Sequence, residues 1–136
     1  AYLAVTDYFS VLPILFSVVV ISWVSGFDVI YALQDEEFDR SQGLHSLPVR
    51  LGRARALSMS WFLHLASMTG VIIIGFTGGF GGFYWAGAVF FAVMLFYQHS
   101  LVSPQDLSKV NLAFMTTNGL ASIVYASLVI IDVISR

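Results

Sequence analysis

The sequence predicts an all-α fold: a polytopic bundle of transmembrane helices forming a single membrane domain over residues 1–136. Of its 136 residues, 58% are hydrophobic and 10% are charged, whereas about 25% of an ordinary soluble domain is charged. The apolar residues gather in four stretches of about 20 residues, the length that crosses a bilayer as a helix. Because hydrocarbon leaves exposed strand edges unsatisfied, a helical bundle is the architecture that fits.

Each predicted span has its own boundary signals. Pro13 is tolerable near the first turn of the first span, and Arg53 and Arg55 precede the second. A glycine-rich turn at residues 77–82 separates the second span from the third, and a polar connection at residues 103–109 carries helix-start signals before the fourth. The predicted spans are residues 8–27, 56–76, 83–101 and 110–133.

The basic residues predict the orientation of this bundle. Five of the six lie in loops that a four-span meander places on one side, and only Arg136 lies opposite. Positive residues favour the cytoplasmic side, so we expect the first long loop to lie in the cytoplasm, which for a bacterial protein means an inner-membrane location. The five are Arg40, Arg50, Arg53, Arg55 and Lys109.

Composition also excludes several classes of function. The net charge of −2 argues against a nucleic-acid partner, and the absence of cysteine excludes disulfides, zinc thiolates and thiol catalysis. The sequence begins with Ala1 rather than Met. This start fits either a processed product or part of a longer chain, and we favour the second interpretation.

Carboxylates follow the first span at helical spacing. In a continuous helix, steps of seven and four residues bring Asp28, Asp35 and Asp39 onto one face, with Tyr31 beside them. Acidic groups at the edge of a bilayer are costly unless something binds them. A Mg²⁺ ion on Asp35 and Asp39, bridging to a phosphate, would relieve their repulsion. The alternative is a merely solvated helix end, which we expect for Glu36 and Glu37.

The extended pattern resembles a known family. Asp28-x-x-Tyr31-Ala-x-x-Asp35-x-x-x-Asp39-x-x-x-Gly43-x-x-Ser46, followed by residues 47–52 (LPVRLG), is similar to the second aspartate-rich motif of UbiA-type intramembrane aromatic prenyltransferases. Within that family the chain most resembles the 4-hydroxybenzoate polyprenyltransferases. A weaker similarity extends through the last spans, including Asn118 and Gly119.

This resemblance implies a chemistry and a set of site residues. It implies Mg²⁺-dependent transfer of a polyprenyl group from its diphosphate to an aromatic acid such as 4-hydroxybenzoate, in ubiquinone or menaquinone-type quinone biosynthesis. Asp35 and Asp39 would hold the metal, Asp28 would orient a metal-bound water or the acceptor, and Tyr31 would contact the prenyl diphosphate. Further candidate substrate-binding residues are His45, Arg50 and Asn118.

The resemblance covers only part of such an enzyme. The family's fold has nine membrane helices and two facing aspartate-rich motifs, whereas this chain has four predicted spans and the second motif alone. It therefore resembles the C-terminal portion, roughly helices six to nine. We expect this polypeptide to be inactive alone and to need the missing N-terminal helices as its partner.

Other polar residues have structural alternatives. The loop arginines could bind diphosphate or simply fix orientation, and His45 could be a solvated loop residue. His64 shares a face with Ser60 and Ser67, so we expect a neutral imidazole hydrogen-bonded to serine between helices. A polar stripe on the last helix could line a cavity or bond neighbouring helices. Its residues are Asn111, Asn118, Ser122 and Tyr125.

Two rival functions remain open at this point. CDP-alcohol phosphotransferases also carry a DxxxD on membrane helices, but their glycine four residues before the aspartates is Tyr31 here, and their earlier DG…AR is absent. A transporter or assembly subunit that gathers cations on an acidic cap is the non-enzymatic alternative. Mg²⁺-dependent binding of a prenyl diphosphate separates it from a transferase.

Overall fold

The computed structural model describes residues 2–136; Ala1, the first residue of the predicted domain, lies outside them. Every regular element among the described residues is helical, as the sequence predicts. Two short irregular helices interrupt the series, a 3₁₀ turn at Leu33–Asp35 and a π-helical segment at Leu112–Thr117. The α-helices are α1 Tyr2–Thr6, α2 Val11–Ala32, α3 Glu36–Ser41, α4 Leu47–Leu51, α5 Arg53–Thr77, α6 Gly82–Ser100 and α7 Asn118–Ile134.

Helices occupy all four predicted spans, with shifted ends. The first begins at Val11 rather than at residue 8, because the Ser10 hydroxyl accepts a hydrogen bond from the Leu12 amide and caps α2. The second begins at Arg53 rather than at residue 56. The predicted turn at residues 77–82 is confirmed, with Gly79 at a φ of +60°.

The prediction of four membrane spans is wrong in number. Within residues 2–136, three segments are long and apolar enough to cross a membrane: Val11–Ser41, Arg53–Thr77 and Leu112–Ile134. Helix α6 has 19 residues, so its length would suffice. Aromatic and polar residues near both of its ends lower its mean hydropathy, which a count of its Phe and Ala residues overlooks. They are Tyr84, Trp85, Tyr97, Gln98 and His99.

The continuous helix assumed for the carboxylate face is also interrupted. Helix α2 ends at Ala32, the 3₁₀ turn follows, and α3 starts at Glu36 after Asp35 adopts φ −93° and ψ 1°. Because a 3₁₀ turn has fewer residues per turn than an α-helix, steps of seven and four no longer return to one angle. The single-face alignment of Asp28, Asp35 and Asp39 therefore does not follow from their spacing.

Small and polar residues join α2 to α5. The Ser60 hydroxyl donates to the Gly26 carbonyl at 2.6 Å, and the Ser67 hydroxyl donates to the Val19 carbonyl at 3.1 Å. A side-chain carbon at Gly26 would overlap the His64 ring. Such close contacts through small residues are how membrane helices associate, since lipid removes the hydrophobic drive between them. The register of α2 against α5 is thereby fixed.

An aspartate links α7 to the start of α6. The Asp132 carboxylate accepts hydrogen bonds from the Gly81 amide at 2.9 Å and the Tyr84 amide at 3.2 Å, and it pairs with Arg136 at 2.7 Å. The first amides of a helix have no partner within it, so this carboxylate serves as a cap from a distant part of the chain. Asp132, which is isolated in the sequence, is 1% exposed for this reason.

The π-helical segment changes which face of the last helix is buried. Asn111 lies before the segment and is exposed, whereas Asn118 lies after it and is buried. Seven residues of regular α-helix would have kept the two on nearly one face, but π-helical turns hold more residues. Ser122 is exposed and Tyr125 is buried, so the four-residue polar stripe predicted for this helix is not continuous.

Gly52 supplies a testable constraint on the fold. It separates α4 from α5 with φ +80° and ψ 159°, a region of backbone conformation that is essentially restricted to glycine. We expect Gly52→Ala to lower the free energy of unfolding by about 1–3 kcal/mol, measured by thermal or denaturant unfolding in detergent. Gly119→Ala is the control, because it lies in α7 with open space around it. Equal stability of the two variants would contradict this account.

Candidate acidic site at the end of α2

The candidate site starts where α2 gives way to the 3₁₀ turn. Val29, Ile30 and Leu33 are buried in a cluster with residues of α5 and of the last helical segment. Burial of these side chains holds the end of α2 against the bundle and turns the residues between and after them outward. Asp28, Tyr31 and Asp35 are accordingly exposed, and Asp39 is half-buried.

The three aspartates are free of protein partners. Within the described residues 2–136, none of the side chains of Asp28, Asp35 and Asp39 forms a hydrogen bond or an ion pair. Their oxygens are open to water or to a cation. Tyr31 packs its ring against Phe114 in the π-helical segment, with centroids 4.5 Å apart, so the tyrosine is tied to the last helix rather than free in solvent.

Glu36 is the residue of this segment that sequence reasoning misjudged. The expectation that it merely solvates a helix end is wrong, because the residue is 7% exposed. Its Oε1 accepts from Arg40 at 2.7 Å, and its Oε2 accepts from Arg53 at 2.5 Å. Glu37, which is exposed, also pairs with Arg53 at 3.2 Å. Residue spacing signals the Arg40 partner at i+4, but the Arg53 contact is long-range and has no such signal.

The loop after α3 carries the other predicted contacts. His45 and Arg50 are exposed, and Ser46 has a buried hydroxyl without a partner among the described residues. Gly43 adopts φ +67°, which lets the chain reverse after α3. Arg53 is committed to Glu36 and Glu37, so of the arginines considered for diphosphate, Arg50 and Arg55 keep their guanidinium groups unpaired within residues 2–136.

A groove opens beside Asp28. It has a volume of about 390 Å³ and lies between the end of α2, the start of α4 and the middle of α5. Apart from Asp28 and Ser25, its lining is apolar. A carboxylate at the rim of an apolar groove is an arrangement that can receive a molecule with one polar and one hydrocarbon end. The apolar lining residues are Val29, Ala32, Leu47, Met59 and Leu63.

The acidic segment can supply some, but not all, of the ligands of a metal ion. Among the described residues, no three His, Cys, Asp or Glu side chains are grouped so as to hold an ion on their own. Mg²⁺, however, is usually bound through one or two carboxylates, with waters and substrate phosphates completing its shell. Asp35 and Asp39 offer hard oxygen donors without competing partners. This donor set fits a magnesium–diphosphate complex, not a closed protein cage.

Deeper in the bundle, His64 and His99 form a hydrogen-bonded pair. His64 Nδ1 lies 2.8 Å from His99 Nε2, and His64 Nε2 lies 3.3 Å from the Trp23 carbonyl oxygen. Because a carbonyl only accepts, His64 carries its proton on Nε2 and its Nδ1 accepts from His99.

The serine partners predicted for His64 are wrong, because Ser60 and Ser67 donate to α2 carbonyls instead. His99 is buried and stacks on Trp61 at 4.0 Å.

Asn118 is buried, and its side-chain amide nitrogen has no hydrogen-bond acceptor among the described residues. The residue is 8% exposed. An unpaired buried amide costs free energy unless something bonds it. The amide is therefore available to a ligand or to a further helix, which keeps Asn118 among the candidates for substrate binding.

Fold and site together define a helical membrane protein with an acidic segment at the end of α2. Comparison with known proteins identifies the family. The model of the UbiA prenyltransferase family matches residues 1–120, and the chain belongs to this family.

Curated relatives agree with that assignment. The 4-hydroxybenzoate octaprenyltransferase of Nitrosospira multiformis is 25% identical over 108 residues, and that of Salmonella paratyphi B is 30% identical over 109 residues. Each alignment covers 79% of this chain, and the chain spans 37% of the length of each relative. No solved structure matches significantly.

The histidine pair supplies a second prediction. We expect His99→Ala to destabilise the bundle by about 1–3 kcal/mol, because it leaves His64 Nδ1 without a donor in a buried position. Unfolding in detergent measures the loss. His45→Ala is the control, because His45 is exposed in a loop. An equally stable His99→Ala protein would show that the pair contributes nothing.

Proposed function

We propose that the protein containing this chain is a magnesium-dependent aromatic prenyltransferase of quinone biosynthesis, with 4-hydroxybenzoate as the acceptor. The observation that carries the proposal is a pair of carboxylates after an apolar helix, Asp35 and Asp39, that have no side-chain partner within residues 2–136. Family membership and the names of the curated relatives support the reaction class.

Asp35 and Asp39 would hold the ion, and their mutual repulsion is the free energy that a cation relieves. Bound Mg²⁺ supplies Lewis-acid stabilisation of the negative charge on the departing diphosphate. Asp28, at the rim of the apolar groove, would orient the acceptor or a metal-bound water. Tyr31, held by Phe114, would form a fixed wall beside the diphosphate.

Exposed basic groups would complete the diphosphate site. Arg50 has a forked donor group that matches phosphate oxygens, and His45 lies five residues before it in the same loop. The amide nitrogen of Asn118 would donate to the substrate from the start of α7. We assign the acidic loop to the cytoplasmic face of a bacterial inner membrane, because five of six basic residues lie on the predicted side of that loop.

The chain is proposed to work as a single membrane domain within a longer protein. It contains one aspartate-rich motif and spans 37% of the relatives' length, so the remaining helices would supply the other half of the metal site and most of the cavity wall. Residues 1–136 alone are expected to be inactive. No feature of the described residues favours a transporter or a CDP-alcohol phosphotransferase.

The test is prenyl transfer by the full-length protein. We expect Asp35→Asn or Asp39→Asn to lower the rate by about 10- to 100-fold or more at fixed Mg²⁺, as the loss of a metal-binding group does. Transfer of a prenyl group to 4-hydroxybenzoate in membranes measures the rate. Asp106→Asn removes an exposed carboxylate from the other loop predicted on the same side and should have no effect.

Two results would contradict the proposal. Undiminished transfer by both aspartate variants at saturating Mg²⁺ removes their role as metal ligands. Ion flux through reconstituted full-length protein, with no Mg²⁺-dependent binding of a prenyl diphosphate, would support the transporter instead.

A further inference from the structure

Two arginines converge on one buried carboxylate inside the acidic segment. The Glu36 side chain is engaged through both oxygens, by Arg40 at 2.7 Å and by Arg53 at 2.5 Å. Arg40 is the immediate neighbour of Asp39 in the chain, and Glu36 is the immediate neighbour of Asp35. Arg40 therefore belongs to the segment whose aspartates are proposed to bind a cation, and Arg53 reaches that segment from α5 through Glu36 and Glu37.

With both arginines on Glu36, neither Asp35 nor Asp39 has an arginine partner within residues 2–136. A guanidinium is the natural partner of a carboxylate because its donors match the two oxygens. A guanidinium on Asp35 or Asp39 would occupy the lone pairs that a metal needs and would bring a positive charge beside the ion. In the described residues neither aspartate has such a partner, whereas Glu36 has two.

The location of Arg53 makes the pairing stronger. Arg53 is the first residue of α5, where the positive end of the helix dipole disfavours a cation. A buried carboxylate at this point compensates both the dipole and the guanidinium. It also fastens α3 to the start of α5, since Glu36 belongs to the first element and Arg53 to the second.

We propose that Glu36 is a positioning residue that holds Arg40 and Arg53 away from Asp35 and Asp39, so that the two aspartates remain open to a divalent cation. This inference rests on the proposed function. Glu36 is not itself a ligand, because both of its oxygens already accept hydrogen bonds from arginine. Without Glu36, the freed guanidinium groups would compete with the ion for the aspartates.

Binding of Mn²⁺ tests this proposal without any measurement of turnover. The free Mn²⁺ signal in electron paramagnetic resonance gives the dissociation constant for the full-length protein in detergent, in the presence of a prenyl diphosphate. We expect Glu36→Gln to weaken binding by about tenfold, the order of effect that one unneutralised charge has at short range. The double variant Glu36→Gln, Arg53→Gln should recover part of the affinity, because it removes one of the two competing guanidinium groups and leaves that of Arg40.

Glu37→Gln is the matched control. It changes the net charge by the same amount one position away, but Glu37 is exposed and shares only Arg53, at 3.2 Å. We expect its effect on Mn²⁺ affinity to stay within about twofold, as for most exposed ion pairs. Equal losses in Glu36→Gln and Glu37→Gln would mean that net charge alone matters, and this result would overturn the proposal.

Glu36→Asp covers the case in which Glu36→Gln does not fold. It keeps the charge but shortens the side chain, so that it cannot hold both arginines at the observed distances. Weaker Mn²⁺ binding at unchanged net charge supports the positioning role, and unchanged binding contradicts it.

If the unaltered protein binds no Mn²⁺ with the diphosphate, the proposed function fails together with this inference. If it does bind and the Glu36 variants match it, the inference alone fails.

Discussion

The contact between Glu36 and Arg53 joins α3, which follows the first long helix, to the beginning of α5. Glu36 is buried, where a charge is tolerated only with a partner, whereas the side chain of Arg53 is 32% exposed. Their pairing fixes the place of α3, and α3 carries Asp39 just after Asp35. The position of Asp39 follows from this junction, whereas the outward direction of Asp28 and Asp35 follows from the burial of Val29, Ile30 and Leu33.

The rest of the bundle follows the same rule, that a polar group in a membrane bundle must find its partner inside the protein. Serines of α5 bond to α2 carbonyls, His64 and His99 bond to each other, and Asp132 caps α6 from α7. Asn118 departs from this rule, and Ser46 and Trp23 also have a buried polar atom without a partner in the described residues. Ser46 and Asn118 are also residues on which the family resemblance rests. Their buried polar atoms are therefore the ones that a ligand or a further helix would be expected to bond.

Much of the fold could be predicted from the sequence. Apolar length predicted the helices, and the motif around Asp28, Asp35 and Asp39 led to the UbiA family, which the family match confirms. The 3₁₀ turn after Ala32 and the π-helical segment before Asn118 could not be predicted, because apolar spacing does not distinguish them from a regular α-helix. Glu36 was misjudged for a related reason: its partner Arg53 is distant in the sequence, and helical spacing does not indicate such a contact. The contact of Asp132 with Gly81 is likewise long-range and has no signal in the sequence.

The central claim is that Asp35 and Asp39 hold a divalent ion against a diphosphate. A structure of the full-length protein with Mg²⁺ and a non-hydrolysable prenyl diphosphate analogue tests it most directly. The account predicts an ion bonded to oxygens of both aspartates at about 2.0–2.1 Å and bridging to the diphosphate, with Arg53 still on Glu36. A diphosphate bound elsewhere, or aspartates occupied by arginine in the presence of the analogue, would contradict it.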